Sequence, residues 1–413
     1  MTLERSSRWA LLAWHAALLW GGVLRGQEHS HAAHGGTPHL GAMAVLVASQ
    51  VQPAAHDATR REAYLSQPVV SLSYDAWHGA LSVEGLADGE GAVMRRGELT
   101  PGIYGEGYVD RRHPHTMLHE LMLTGAHRVR STSLSLSVGK GFAPFGSDDP
   151  MMRPFQKFPI NHHLSQILER ALVIGAAHSG PLLIEGAVFN GDEPTGPADW
   201  PNLDRIGDSW SARATLTPRR GFELTASAAS VHSPEDVDGQ GLNQRKVHAG
   251  LRVEPSGRTP YLLAEWARTE EYRQSRRVWR FASVLVEAGT TVLGTDVAVR
   301  AERTTRPDEE RISDFRTIRP LLDFGILGRS RWDVATLHLG TSRSTARWLH
   351  WSPFVEASVS GVRPTILPTT FVPRDFYGRS TLWMLSTGVR VHAGRMPARM
   401  GRYGAARTSA ELP

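Results

Sequence analysis

The stretch YVDRRHPHTMLHE, residues 108–120, holds three histidines, two carboxylates and two arginines in thirteen positions. Imidazole and carboxylate donors without thiolate suit Zn²⁺, Cu²⁺ or Ni²⁺, and the chain contains no cysteine. Pro114 biases His113 towards an extended backbone, which sets His113 and His115 on one face. A helical turn after Pro114 would instead bring His115 and His119 together. Asp110 and Glu120 could ligate directly or orient a ring from behind. A second pair, His162 and His163, lies further along, and His29, His31, His34 and His39 stud the N-terminal region. The candidate metal set is Asp110, His113, His115, His162 and His163, with Zn or Cu as the ion. No spacing reproduces a catalytic zinc signature, because His119-Glu120 lacks the second histidine of H-E-x-x-H. The competing reading is a hydrogen-bonded polar cluster that holds a loop against a wall. The lack of cysteine excludes iron–sulfur and thiol chemistry.

What positions these residues is read from the rest of the chain, where two-residue alternation recurs. In SWSARATLT, Trp210, Ala212, Ala214 and Leu216 alternate with Ser211, Arg213, Thr215 and Thr217. VHAGLRVE and DVAVRAER do the same, setting Val247, Ala249, Leu251, Val297 and Val299 against His248, Arg252, Glu254, Arg300 and Glu302. Successive strand residues point to opposite faces, so each run has one apolar and one polar face. Turn signals separate the runs: TPRRG at 217–221, EPSG at 254–257 and RPDEE at 306–310. Helical periodicity is nearly absent. The pattern predicts an all-β chain of about 16 strands, range roughly 14–18, in a single antiparallel transmembrane β-barrel.

A pair of soluble β-domains would also alternate. Three features favour the barrel. The apolar faces are rich in alanine, which fills a core poorly. Arg and Glu sit in mid-strand, as a wet lumen allows. Trp210, Trp279, Trp332, Trp351 and Trp383 fall near strand ends, where aromatic residues meet the membrane boundary. The polar ending GRMPARMGRYGAARTSAELP counts against it.

The N-terminus, MTLERSSRWALLAWHAALLWGGVLRGQ, has Arg5 and Arg8, an apolar run and a polar flank. This predicts a signal peptide over 1–26, with an N-terminal anchor helix as the alternative. The expected layout continues with a His-rich tail at 27–40, the barrel at 41–393 and a polar tail at 394–413. Two long connections interrupt the strands. Residues 141–166 hold four prolines and no alternation, and 190–208 are acidic and rich in Pro and Gly. A long ordered loop of the first kind can fold inward and narrow a pore. The formal charge is +5 with basic residues scattered, which gives no footprint for a nucleic-acid partner.

Three stretches, YVDRRHPHTMLHEL, NHHLSQI and VFNGDEP, resemble an uncharacterised family of bacterial outer-membrane β-barrel proteins. Its members carry an Asp-x-x-His-Pro-His-Asp stretch, a later His-His pair and a Phe-Asn-Gly-x-Glu-Pro stretch. The matching residues are Asp110, His113, Pro114 and His115, then His162 and His163, then Phe189, Asn190, Gly191, Glu193 and Pro194. The resemblance covers about residues 100–220. Thr116 stands where the family has a second Asp, and Glu169 stands near an expected further His. The resemblance implies an outer-membrane barrel, in some members associated with heavy-metal resistance.

The expected function is a porin-like barrel in the bacterial outer membrane. It would contact lipid, pass small polar or ionic solutes and admit oligomers. Arg213, Arg252, Glu254, Arg300 and Glu302 are the expected pore-lining residues. A non-channel exported metal-binding β-protein is the alternative. An enzyme is not expected, because no G-x-S-x-G or similar nucleophile cue occurs.

Overall fold

The structure, a computed structural model, describes residues 36, 38–54, 57–93, 116–147, 149–160, 162–194, 196–255, 260–309, 326–365, 372–397 and 399–407. The expected signal segment and most of YVDRRHPHTMLHE, including Asp110, His113 and His115, lie outside them. Strands dominate in chain order: β1 (His39–Ala54), β2 (Ala58–Ala76), β3 (Leu81–Asp88), β4 (Leu118–Val129), β5 (Thr132–Gly141), β6 (Arg170–Ser179), β7 (Leu182–Phe189), β8 (Ser209–Arg219), β9 (Phe222–Val231), β10 (Asn243–Val253), β11 (Tyr261–Arg273), β12 (Arg276–Val292), β13 (Thr295–Glu309), β14 (Ile326–Gly340), β15 (Arg343–Ala346), β16 (Leu349–Pro364) and β17 (Thr381–Gly394). Each pairs antiparallel with its sequence neighbours, and β1 closes on β17 from Gly41↔Gly394 to Gln52↔Trp383. Because β14 also pairs directly with β16, β15 is a short extension of their hairpin. The closed wall therefore has sixteen of the seventeen strands. No helix among the described residues is long and apolar enough to cross a membrane.

Closure leaves no strand edge, the condition hydrocarbon imposes on backbone amides. Face polarity agrees. On β5, Leu134, Leu136 and Val138 are 42%, 60% and 48% exposed while Ser137 between them is buried. On β8, Trp210 points out and Ser209, Ser211, Arg213 and Thr215 are buried inside. The wall thus turns an apolar belt outward and a polar surface inward, the reverse of a soluble β-domain.

The barrel has two unlike ends. Tight turns of two residues join β4–β5, β6–β7, β8–β9 and β12–β13 at one end, which also holds His39 and Gly394. The connections 142–169 and 190–208 emerge at the other. At this loop end the polarity inverts. Arg303, Arg331 and Arg363 gather outside around Asp333, while Trp332, Val334, Val362, Tyr377 and Leu382 pack inside with Ile160. Here the strands rise above the apolar belt, with water outside and a protein core within. This corrects two expectations. Trp332 is 1% exposed and Trp279 packs beside Leu164 and Phe281, so neither belongs to an outer aromatic belt. RPDEE is not a turn at its start: β13 runs on to Glu309, with Arg306↔Ser330 and Pro307↔Arg329 in register.

Candidate functional site

The lumen is where the polar faces converge, and two chain segments enter it. The first is the connection after β5. It has no regular hydrogen-bond ladder, so its buried amides and carbonyls need partners from the wall. Inward carboxylates take the amides. Glu356 of β16 accepts from Gln156 N at 2.6 Å and Lys157 N at 2.9 Å. Glu302 of β13 accepts from Ile160 N at 3.0 Å. Inward arginines take the carbonyls: Arg300 donates to Lys157 O at 2.7 Å, and Arg390 to Met151 O at 3.2 Å. Arg153 reaches back from the loop to Glu265 at 3.0 Å and Glu287 at 3.6 Å, and all three side chains are nearly inaccessible. Ser147 also donates to Glu265. Gly146 makes the first bend inward with φ +69°, and a Cβ there would lie 1.8 Å from Ser165 O. An L side chain fits neither condition.

The second segment is the tail after β17. Gly394 turns the chain back with φ +70°, and a Cβ there would sit 2.1 Å from Leu40 O. Residues 395–407 then run up inside the wall. Arg399 grips Glu223 of β9 through both guanidinium nitrogens, at 2.6 and 3.0 Å. Arg402 reaches Glu223 at 3.1 Å and Glu185 of β7 at 3.4 Å, where Arg213 already forms a fork at 2.6 and 2.8 Å. Tyr403 donates to Glu120 of β4 at 2.9 Å and accepts from Phe142 N at 3.0 Å. Arg407 meets Asp75 at 2.9 Å. Loop and tail also share an apolar contact: Phe142 packs in one cluster with Met400, and Phe145 in another with Tyr403. The tail read from sequence as a polar ending is therefore a folded insert among the described residues.

Among the expected lumen residues, Arg213, Arg252, Arg300 and Glu302 are buried on the inward face. Arg213 and Arg300 are engaged with carboxylates and with backbone of the inserted loop. Glu254 stands at the turn end, 41% exposed, paired with Arg252 at 2.6 Å. The sequence reading missed Glu265, Glu287, Glu356, Arg153 and the tail arginines. Strand phase could have found the glutamates, since each occupies an inward position in an alternating run. Nothing local marks the others.

Of the metal set, His162 and His163 are described. Their rings lie 4.3 Å apart in a turn facing β11 and β12, and His162 meets Phe158 edge-on at 5.2 Å. No group of three His, Asp or Glu side chains that could hold a metal ion occurs among the described residues. The end of the opening stretch forms a polar cluster. Thr116 donates to Glu169 Oε1 through its amide at 2.8 Å and its hydroxyl at 2.7 Å, and His119 Nδ1 meets the same oxygen at 2.8 Å. Lys140 donates to Thr116 Oγ1. The two departures from the resembled family, Thr116 and Glu169, thus touch each other. His119 belongs to β4, so the helical alternative for this stretch does not hold there.

Two of the cavities lined by described residues bear on the site. One, of about 100 Å³, lies among Glu84, Glu120 and the tail arginines. The other, of about 360 Å³, opens near the turn end between loop, tail and β13–β17.

With these features in place, comparison with solved structures gives a porin from Comamonas acidovorans described as anion-selective. It is 10% identical with a TM-score of 0.51, covering 87% of this chain and 100% of that one. OprB of Pseudomonas putida is 11% identical with a TM-score of 0.50, covering 88% of this chain and 94% of that one. The fold is that of a bacterial outer-membrane porin. No family model matches the sequence, and no curated protein matches it. The porin fold accounts for the closed wall and the apolar belt.

Proposed function

We propose that this chain is an outer-membrane porin-like barrel for small polar or ionic solutes, whose lumen is narrowed by the loop 141–166 and closed by the tail 395–407. The observation that carries this reading is the way the tail is held. Arg399, Arg402 and Arg407 pair with wall carboxylates, and Arg395 N and Ala405 N add bonds to Leu40 O and Ser135 Oγ at 2.8 and 2.9 Å. The tail lies outside the strand ladder, so its release would leave the closed wall intact. With the tail in place, lumen side chains such as Arg213 and Arg402 are buried.

Planar-bilayer recording tests the proposal. Full-length protein is expected to give small or rare openings. Protein truncated after Gly394, and a full-length Arg399→Ala/Arg402→Ala/Arg407→Ala variant, should give larger and sustained conductance steps. Heat-modifiable gel migration verifies that each barrel is folded. Folded variants that stay silent would support a second reading, a non-conducting barrel that binds its ligand internally. The cavity of about 360 Å³ between loop, tail and wall favours that alternative.

A further inference from the structure

The cavity of about 360 Å³ near the turn end has an unusual lining. Met43, Met151, Met152 and Met396 line it together with His338 and His392; the methionines also border an apolar cluster with Phe142 and Phe158, and Met396 Sδ accepts from Ser71 Oγ at 3.3 Å. The chain has ten methionines, so this one cavity takes four of them. They come from three separate places: Met43 from β1, Met151 and Met152 from the inserted loop, and Met396 from the tail. Methionine often fills irregular gaps in a core. Gap filling does not require imidazoles on the same surface.

The state of His338 adds an independent observation. Its Nδ1 lies 2.8 Å from Glu356 Oε1, and both side chains are buried. A carboxylate on Nδ1 is the arrangement found behind most metal-ligating histidines, where Nε2 is the ligating atom. Nε2 lies over Gly340, where a Cβ would stand 2.7 Å from it. Gly340 therefore leaves room for the ring at the cavity edge. His392 sits opposite His350 in register, with the rings stacked at 4.8 Å.

We propose that this cavity binds a soft monovalent cation of the Cu⁺ or Ag⁺ type. Thioether and neutral imidazole donors prefer soft ions over hard ones. The charged lining residues sharpen the choice. Arg390 also faces the cavity, with its guanidinium held by the carbonyls of Met151 and Arg153. Asp296 is the one carboxylate in the lining. A divalent hard ion would meet a fixed positive charge and too little oxygen. A singly charged ion bound by neutral sulfur and nitrogen pays less for that neighbour. The bound ion would join wall, loop and tail at one point. This site shares no residue with the Asp110–His163 set and does not depend on whether the barrel conducts.

The test uses full-length barrel in detergent, loaded with Cu⁺ under a reductant against a chromophoric Cu⁺ chelator. The expected result is one Cu⁺ per chain, with affinity falling about tenfold or more in Met151→Leu/Met152→Leu and in Gly340→Ala. X-ray absorption should show sulfur neighbours around copper in the wild type. Because the chain has no cysteine, that sulfur can only be thioether. Met43→Leu and Met396→Leu serve if the loop double variant fails to fold, as judged by heat-modifiable migration. Copper surrounded only by nitrogen and oxygen, equal affinity in the folded variants, or Zn²⁺ held as tightly as Cu⁺ would each overturn the proposal.

Discussion

Glu265 holds Arg153 across 112 residues of sequence. It also accepts from Ser147 and lies 3.3 Å from His248. Such a carboxylate is not replaceable by its amide. Glu265→Gln would leave the buried Arg153 guanidinium facing the more distant carboxylate of Glu287, at 3.6 Å, a weaker ion pair. Removing one partner of a buried ion pair costs about 3–5 kcal/mol. We expect the variant to lose its compact gel migration at clearly lower urea than wild type, and the loop to become cleavable by protease. Residues of this kind were only half legible in the sequence. Alternation marks Glu265, Glu287 and Glu356 as inward-facing, because each sits among outward apolar neighbours. It cannot tell that the inward side holds a loop and not water. Arg213 and Arg300 are buried, and the loop and tail backbone they reach lies in segments far along the chain. Trp332 misled because aromatic belts and aromatic cores look alike in one strand, and only the charged ring around Asp333 shows that this part of the wall stands clear of lipid.

At the scale of elements, the loop announced itself and the tail did not. Four prolines and the loss of alternation set 141–166 apart. The tail reads locally as a solvated, arginine-rich ending. Its partners are 176 residues away for Arg399, 283 for Tyr403 and 332 for Arg407, and no local pattern encodes such contacts. The tail also sets an expectation for ion preference. It brings Arg395, Arg399, Arg402 and Arg407 to a wall carrying Asp75, Glu84 and Glu223. Removing 395–413 strips out the cations and leaves the carboxylates facing water. The truncated barrel should therefore prefer K⁺ over Cl⁻, seen as the sign of the reversal potential in a KCl gradient. Anion preference in the truncated barrel would mean that Arg213, Arg252 and Arg300 dominate the opened lumen instead.

At the scale of the whole molecule, the architecture was the most legible feature. A period of two with polar and apolar faces fixes strands, and short turn signals fix antiparallel neighbours. Counting the alternating runs gives about 14–18 strands, and closure with an even number makes sixteen the expected value. What alternation leaves open is which face meets solvent, because a soluble β-domain shows the same pattern with its greasy side inward. The closed wall decides this in favour of lipid. Its thermodynamic counterpart is that the outer belt of Leu136, Val299 and Leu337, 60%, 51% and 41% exposed, has no protein to cover it. The absence of cysteine makes this directly measurable. Leu136→Cys, Val299→Cys and Leu337→Cys can each carry a single spin label in barrels reconstituted into bilayers, and collisions with oxygen and with a water-soluble nickel chelate can be compared. The account predicts that all three labels collide with oxygen far more than with the chelate, as lipid-facing positions do. Labels immobilised and shielded from both reagents would place the apolar faces inside protein and contradict it.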